Sequence, residues 1–297
     1  MPERQRVLIT GAAGFLGWNI ARGLTSVGVD VTGAWHQALP DRSVAASWVR
    51  FDLEMVGSVM PGLLRNFDAV VHCAAIASRA ACDADPAQAQ LINTTSARII
   101  AECCAAAGVR LIHISTDLVF DGSDGPYHEN AATSPVSVYG VTKAAAETAI
   151  HRIHPDAHSI RTALMYGPGP FNREGAMLAW TLSALRDGRP LRLYTNQYRS
   201  LLYAPDVAQL VRVLLHEEIA PGIIHAGGPE RLSRYEAGCR IAAAYGFSTE
   251  GISATVLERK PPLSSTDDCS LDCSKTIERT GIQFTTVYDG LAAMRSM

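Results

Sequence analysis

The sequence lacks the features that mark membrane-spanning and nucleic-acid-binding proteins. None of its 297 residues lies in a hydrophobic run long enough to cross a bilayer. Residues 1–6 lead directly into an apolar strand, so we predict no signal peptide. The formal net charge is −3 and 19% of the residues are charged. This charge pattern favours neither nucleic acid nor an anionic membrane as a partner.

A C-x-x-C pair is also missing, although the sequence contains seven cysteines. An odd number of cysteines favours reduced thiols over a disulfide framework, and we therefore predict a cytoplasmic protein. Cys269 and Cys273 form a looser pair without a nearby histidine, which is not typical of zinc ligands. No metal site is predicted.

A glycine-rich turn near the N-terminus predicts a dinucleotide site. The apolar run from Arg6 to Thr10 indicates a buried parallel strand, and Gly11, Gly14 and Gly17 follow it before an apolar-periodic helix. Glycines at this point let the backbone approach a pyrophosphate, and the helix N-terminus supplies amide donors. The spacing G-x-x-G-x-x-G differs from the general fingerprint G-x-G-x-x-G. A tight strand–helix turn without a ligand is the alternative interpretation.

Strands and helices alternate along the chain. Apolar strands are predicted at 6–10, 29–35, 46–51, 69–73, 109–115 and 157–162, and near residues 191 and 223. Helices are predicted at 86–107, around 139–143, and near 174–186, 205–216 and 233–245, with a surface loop at 261–266. The alternation predicts an α/β fold with a doubly wound parallel sheet of the Rossmann type and a smaller interleaved C-terminal substrate lobe. We assign residues 1–163 to the dinucleotide-binding Rossmann domain and 164–297 to the substrate lobe, with segments near 197–227 returning to the Rossmann domain.

Tyr139 and Lys143 predict a proton-transfer site. Residues four apart on a helix lie on one face, one turn from each other. An ammonium beside a phenol favours the phenolate and lowers the phenol pKa from about 10 toward neutral pH. Tyr139 is therefore a candidate acid or base, and Thr116 or Ser115 could hold a substrate oxygen. His113 falls within an apolar strand, as His72 does, and we predict that both are packed core histidines.

Longer motifs surround these residues and carry a family resemblance. They occupy residues 10–17, 72–75, 114–122, 126–129 and 134–143. On these motifs the chain resembles the extended short-chain dehydrogenase/reductase family, and within it the dTDP-4-dehydrorhamnose reductases. The regulatory beta subunit of methionine adenosyltransferase looks similar over the same motifs. Relatives are often dimers, so a homodimer is one expected assembly.

The resemblance implies roles for individual residues. The catalytic residues would be Thr116, Tyr139 and Lys143. Tyr139 would protonate the developing alkoxide, Lys143 would hold the nicotinamide ribose and lower the pKa of Tyr139, and Thr116 would bond the carbonyl oxygen. The cofactor would contact Gly11, Gly14, Phe15, Leu16, Gly17, His36, Asp52, Leu53, Ala74, Ala75, Tyr139 and Lys143. The substrate would contact Ser115, Thr116, Asp117, Tyr139 and Arg199. Asn93 either braces this site or packs its own helix.

The end of the second strand bears on which nicotinamide is used. Sites that prefer NAD commonly carry a carboxylate there, which bonds the ribose 2′-hydroxyl. Here no carboxylate ends the strand, and His36 and Arg42 follow. Either side chain could face a 2′-phosphate, or lie in solvated loop. We predict NADP as the cofactor, with NADPH preferred and NAD as an alternative.

The implied function is reduction of a nucleotide-linked 4-keto-6-deoxysugar, with hydride from the nicotinamide and a proton from Tyr139. Arg199 could pair with the diphosphate through its planar donor fork, or form a surface ion pair. Arg231, Arg234 and Tyr235 form either another anion-binding patch or a structural cluster. The alternatives are a reductase or epimerase of another activated carbonyl substrate in a biosynthetic pathway, and a dinucleotide-binding regulatory subunit.

Overall fold

Parallel strands form the central sheet, seen here in a computed structural model that describes residues 4–38, 40–172, 175–258 and 267–296. The strands in chain order are β1 Arg6–Thr10, β2 Asp30–Trp35, β3 Ser47–Arg50, β4 Ala69–His72, β5 Arg110–Thr116, β6 His158–Thr162, β7 Met165–Tyr166, β8 Leu191–Tyr194, β9 Tyr198–Ser200, β10 Leu202–Tyr203, β11 Gly222–Ala226, β12 Arg231–Ser233 and β13 Ile252–Thr255. Seven of them make one sheet in the order β11-β6-β5-β4-β1-β2-β3. Every neighbouring pair in it is parallel.

This strand order confirms the predicted doubly wound Rossmann sheet. The chain moves outward from β1 to β3 on one side and from β4 through β5 and β6 to β11 on the other. The direction reverses between β1 and β4, and a ligand crevice forms beyond the carboxyl ends of the strands at such a reversal.

Helices cover both faces of the sheet. They are α1 Phe15–Ser26, α2 Val56–Leu63, α3 Arg79–Ala84, α4 Pro86–Gln90, α5 Ser96–Ala107, α6 Val138–Ile153, α7 Ala176–Arg186, α8 Ala204–His216, α9 Arg234–Ala244, α10 Ser274–Thr280 and α11 Val287–Arg295. Because side chains alternate along a strand, Val7 and Ile9 of β1 join the core under α1 and α8, while Leu8 joins the core under α2, α5 and α6. Across the part of the chain that the structure describes, no helix is both long and apolar enough for a membrane span.

Helix α8 and strand β11 come from the C-terminal half of the chain, but they pack with the N-terminal sheet and its helices. Strand β11 pairs with β6. In the contact between α1 and α8, a Cβ added at Gly23 would overlap the Ala208 side chain. The two helices therefore approach closely, and Gly23 permits it.

The remaining C-terminal elements, apart from α10, form a smaller lobe, whereas α10 packs on α8 and β11. Its strands occur in the pairs β7–β10, β8–β13 and β9–β12. Tyr166, Leu178, Leu182, Ile241 and Leu291 are buried together in its core. The predicted helix near 174–186 begins at Ala176, and position 174 and the predicted loop at 261–266 lie outside the described residues.

The predicted helix at 86–107 consists of α4, a π-helical turn at Leu91–Thr95, and α5. It ends at Gly108, which has a left-handed φ of 66°, as a helix stop requires. A π-turn inserts one extra residue into a helix and changes the direction of its side chains. The turn contains Asn93, which is buried.

Candidate active site

A cavity of about 720 Å³ opens beyond the carboxyl ends of β1, β4 and β5. It brings together every residue predicted to bind the cofactor: Gly11, Gly14, Phe15, Leu16, Gly17, His36, Asp52, Leu53, Ala74, Ala75, Tyr139 and Lys143. Ser115 also lines the cavity. Thr116, Asp117 and Arg199 are buried beside it instead of lining it.

The glycine-rich turn brings backbone segments closer together than side chains would allow. Gly11 has a φ of 69°, and a Cβ there would lie 2.8 Å from the backbone of Ala74. A Cβ at Gly17 would overlap the carbonyl oxygen of Gly11. At Gly14 an added Cβ meets only the Gly11 oxygen, at 3.2 Å, and Gly14 faces the cavity. Gly14 caps α1 without a side-chain hydrogen bond, so the first amides of the helix can serve an anion.

His36 lies at the other end of the cavity. Its Nε2 atom is 3.4 Å from Asp52 Oδ2, and both side chains are about half exposed. The same carboxylate accepts a hydrogen bond from the backbone of Glu54. Arg42 is exposed and is not a lining residue. Of the two side chains proposed for a 2′-phosphate, the fold therefore brings His36 to the cavity. Trp35, which the sequence arguments missed, also lines it at the end of β2.

Tyr139 is placed against Thr116. Thr116 lies close enough to the phenol to affect its pKa, and its hydroxyl donates to Asp117 Oδ1 at 3.1 Å. Burial raises the pKa of Tyr139 well above 10, and the Asp117 charge raises it further. The prediction that Lys143 lowers this pKa is therefore wrong for this arrangement, because desolvation outweighs any attraction to the ammonium.

Lys143 is held by a histidine. Its Nζ atom lies 3.0 Å from His113 Nε2. Burial lowers the pKa of Lys143 to about 8, and the charge of Glu147 opposes that change. His113 is a buried core residue, as predicted, but it also contacts the candidate catalytic lysine. The sequence contained a signal that His113 lies near the site. His113 and Ser115 are two residues apart on one strand, so their side chains lie on the same face of the sheet.

A buried ion pair supports the floor of the site. Glu147 accepts hydrogen bonds from Ser115 Oγ and from Arg161, whose Nη2 is 2.7 Å away. Both members of the Arg161–Glu147 pair are 5% exposed. The Ser115 hydroxyl thus points to Glu147, while the Thr116 hydroxyl donates to Asp117.

Asn93 ties the loop after β4 to α6. Its Oδ1 accepts a hydrogen bond from Ile76 N at 2.8 Å, and its Nδ2 donates to Ile76 O and Thr142 Oγ1, each at 3.1 Å. Ile76 lines the cavity. Asn93 is therefore buried and fixes Ile76 in the cavity wall, while its part in function stays a prediction.

A second cavity of about 420 Å³ lies in the C-terminal lobe. Its lining includes Trp180, Arg192, Tyr194, Gln197 and Arg234. Sequence reasoning missed this cavity because its walls come from α7, β8 and α9, which are separated along the chain.

Arg234 lines this second cavity and lies near the Asp117–Arg199 ion pair. Arg199 Nε lies 3.3 Å from Asp117 Oδ2, so the ion pair proposed for the surface is in fact buried. Burial raises the pKa of Asp117, while the charges of Arg199 and Arg234 oppose that rise. Burial and the neighbouring Arg199 lower the pKa of Arg234 to about 10. Arg231 instead stacks 3.5 Å over the Tyr198 ring and pairs with Asp268, which is a structural role.

Comparison with known proteins shows which family this chain belongs to. The family model described as RmlD substrate binding domain matches residues 5–296. The chain is 29% identical to the probable low-salt glycan biosynthesis reductase Agl14 of Haloferax volcanii, over 97% of this chain and 96% of that one. It is 30% identical to the dTDP-4-dehydrorhamnose reductase of Mycolicibacterium smegmatis, over 86% of this chain and 74% of that one.

Two further proteins are also similar to this chain. The methionine adenosyltransferase 2 subunit beta of Xenopus tropicalis is 28% identical, over 94% of this chain and 83% of that one. A crystal structure of dTDP-4-dehydrorhamnose reductase from Bacillus anthracis, in complex with NADP, matches with a TM-score of 0.84 and 20% identity. The match covers 100% of this chain and 99% of that one, and at this identity it shows the shared fold.

Proposed function

The chain belongs to the RmlD substrate binding domain family, and from that premise we propose that it is an NAD(P)H-dependent reductase of a nucleotide-linked 4-keto-6-deoxysugar. It is an oxidoreductase of the extended short-chain dehydrogenase/reductase type, as the resemblance implied. The observation that carries the proposal is the position of Tyr139 and Lys143 in the cavity that also contains the glycine-rich turn.

The cavity suits a nicotinamide dinucleotide. Gly11, Gly14 and the first amides of α1 would hold the pyrophosphate, and Lys143 would hold the nicotinamide ribose. His36 would face the 2′-phosphate of NADP, since β2 ends at Trp35 without a carboxylate in the next two positions. When bound, the nicotinamide supplies hydride to the carbonyl carbon of the substrate.

Tyr139 would supply the proton. Its raised pKa keeps the phenol protonated at neutral pH, so it acts as the acid toward the more basic alkoxide that forms as the carbonyl is reduced. Thr116 would hold the same oxygen through its hydroxyl. The Lys143 ammonium, present below its pKa of about 8, would stabilise the tyrosinate that is left.

The second cavity would hold the nucleotide. Trp180 is 51% exposed and presents an aromatic surface for a base, while Arg192 and Arg234 supply positive charge for a diphosphate. Arg234 lies close enough to Asp117 for its charge to affect the pKa of that carboxyl. Asp117 in turn accepts a hydrogen bond from Thr116. A substrate bound in this cavity would therefore extend toward Tyr139. Arg199 would contribute to the same positive field from its ion pair with Asp117.

The test is oxidation of NADPH by the purified protein with dTDP-4-dehydrorhamnose as substrate. We expect turnover by the parent and none by Tyr139→Phe, with cofactor affinity retained in the variant. Turnover by Tyr139→Phe would remove the phenol from the mechanism. A parent that binds NADPH but reduces no keto-sugar nucleotide would overturn the substrate assignment, and other activated carbonyl compounds would be tested next.

The regulatory alternative rests on the similarity to the methionine adenosyltransferase beta subunit. In that case the protein would bind a dinucleotide and increase the activity of a partner synthetase, without turnover of its own. Titration of the chain into a purified methionine adenosyltransferase distinguishes the two functions. For the reductase, we also propose a homodimer, which sedimentation would measure, and a reducing cytoplasmic setting, in keeping with its seven free thiols.

A further inference from the structure

A row of polar side chains crosses the central sheet beneath α6. Strand pairing places Thr10 opposite His72, His72 opposite His113, and His113 opposite Ser159. All four residues are buried. Thr10 Oγ1 lies 2.7 Å from His72 Nδ1, and the rings of the two histidines have centroids 5.3 Å apart. Buried polar groups cost free energy unless they are hydrogen-bonded, so the partners of each member of the row matter.

His113 is the member of this row that contacts Lys143. Below its pKa the lysine side chain carries donors only, so His113 Nε2 must accept the 3.0 Å hydrogen bond from Nζ. The proton of the neutral imidazole then lies on Nδ1. Burial, together with the charges of Lys143 and His72, lowers the pKa of His113 well below 6.5. The ring therefore stays neutral at physiological pH and does not repel the ammonium.

Several titratable or charged groups act on Lys143 or on the residues next to it, from its own helix and from the strands packed against it. They are Tyr139, Glu147 and His151 on α6, Cys73 and His72 at the end of β4, His113 on β5, Asp117 after β5 and Arg161 on β6. Glu147 favours the ammonium but is itself bonded to Ser115 and Arg161. His113 is therefore the neutral acceptor at hydrogen-bond distance from Nζ.

We propose that His113 is a positioning residue for Lys143: it accepts a hydrogen bond from Nζ on the sheet side, and so keeps the ammonium charged and directed at the cofactor cavity. The role of this ammonium in turnover rests on the proposed reductase function. The effect of His113 on the charge of Lys143 does not, because both residues belong to this chain and the contact needs no ligand.

Lysine titration by NMR tests the proposal directly. The chain contains three lysines, Lys143, Lys260 and Lys275, so protein labelled with ¹³C at lysine Cε gives three signals. Lys260→Arg and Lys275→Arg identify the Lys143 signal by elimination. We expect a titration midpoint near 8 in the parent. In His113→Leu the midpoint should fall by about one to two pH units, since a hydrogen bond to a charged group is lost.

Two further substitutions separate hydrogen bonding from packing. His113→Gln places an amide oxygen near the position of Nε2 and should restore the midpoint to within about half a unit. His113→Asn is too short to reach Nζ and should behave like His113→Leu, which keeps the test available if the leucine variant does not fold. His72→Leu removes an equally buried ring that bonds Thr10 instead of Lys143, and should leave the midpoint near that of the parent.

An unchanged midpoint in folded His113→Leu or His113→Asn would overturn the proposal. So would an equal shift in His72→Leu, because that result would assign the effect to general packing. Failure of the reductase assay leaves these midpoints unaffected, so the two proposals fail separately. If both hold, His113→Leu should also lose turnover at a lower pH than the parent, whereas His113→Gln should keep the parent profile.

Discussion

Asp117 and Arg199 form a buried ion pair beside the candidate catalytic tyrosine. Asp117 Oδ2 lies 3.3 Å from Arg199 Nε, and the side chains are 6% and 5% exposed. Asp117 follows β5 of the central sheet, whereas Arg199 lies on β9 of the C-terminal lobe. The pair thus joins the two parts of the chain at the place where substrate is proposed to lie.

Breaking this pair should destabilise the fold. Asp117→Asn removes the charge that Asp117 presents to the buried guanidinium, and we expect the free energy of unfolding to fall by about 3 kcal/mol. Arg199→Met leaves the carboxylate unpaired and should have a similar cost. In the double variant the loss should be smaller than the sum of the two, because neither charge remains. Urea unfolding measures all three, and strictly additive losses would show that the residues are not coupled.

Gly14→Val should block cofactor binding without unfolding the protein. An added side chain at Gly14 meets little of the chain itself and projects at the cavity, where it would exclude a pyrophosphate. We expect NADPH affinity to fall below detection by calorimetry. Gly62→Ala is the control, since an added Cβ there has no neighbour within 4 Å; it should keep the affinity. Normal NADPH binding by Gly14→Val would place the cofactor elsewhere.

His36 should set the preference for NADPH. In His36→Ala we expect the Kd for NADPH to rise about five- to tenfold while that for NADH changes little, because one charge-assisted hydrogen bond to a phosphate is lost. Arg42→Ala, an exposed residue outside the cavity lining, should leave both constants unchanged. A larger effect from Arg42 than from His36 would reverse the assignment.

Trp180 should contribute to nucleotide binding. Stacking of a base on an aromatic side chain is worth about 1–3 kcal/mol, so Trp180→Ala should raise the Kd for dTDP about tenfold or more. Because Trp180 lies away from Tyr139, kcat with the sugar nucleotide should stay close to that of the parent. Tyr288→Ala, which removes another highly exposed aromatic ring, serves as the control. Equal dTDP binding by parent and Trp180→Ala would exclude the C-terminal cavity as the base site.

Acid should destabilise the fold through its buried histidines. Burial lowers the pKa of both His72 and His225 to about 3, against about 6.5 in the unfolded chain. Between these values the unfolded state binds protons that the folded state does not, so stability falls as pH falls below 6.5. Each such residue should contribute about 1.4 kcal/mol per pH unit. Urea unfolding at pH 7, 6 and 5 measures the slope.

His225→Gln provides the matched variant for that slope. Removing one buried histidine should reduce the loss of stability between pH 6 and pH 5 by about 1 kcal/mol, whatever it does to stability at pH 7. The same pH dependence in the parent and the variant would mean that His225 also remains neutral in the unfolded state or is accessible in the folded one.

Much of the fold could be predicted from the sequence, because the features that indicate it depend on residues that are close together in the chain. Apolar strands, the stop at Gly108 and the glycine turn after β1 each follow from the preferences of neighbouring residues. The π-turn at Leu91–Thr95 has no signal in the local sequence pattern, and the bonds of Asn93 within it reach Ile76 and Thr142, which are distant in the chain. The direction of the Tyr139 pKa was likewise wrong, since burial is a property of the whole structure.

The sequence by itself determined the alternation of strands and helices that builds the central sheet, the position of the glycine-rich turn, and the placement of Tyr139 and Lys143 on one helical face. These depend on periodicity and on local backbone geometry. Only the tertiary structure decided that Lys143 bonds His113, that Arg199 pairs with Asp117, and that α7, β8 and α9 enclose a second cavity. Those contacts join residues far apart in the chain, and their electrostatics depend on how completely the fold removes water around them.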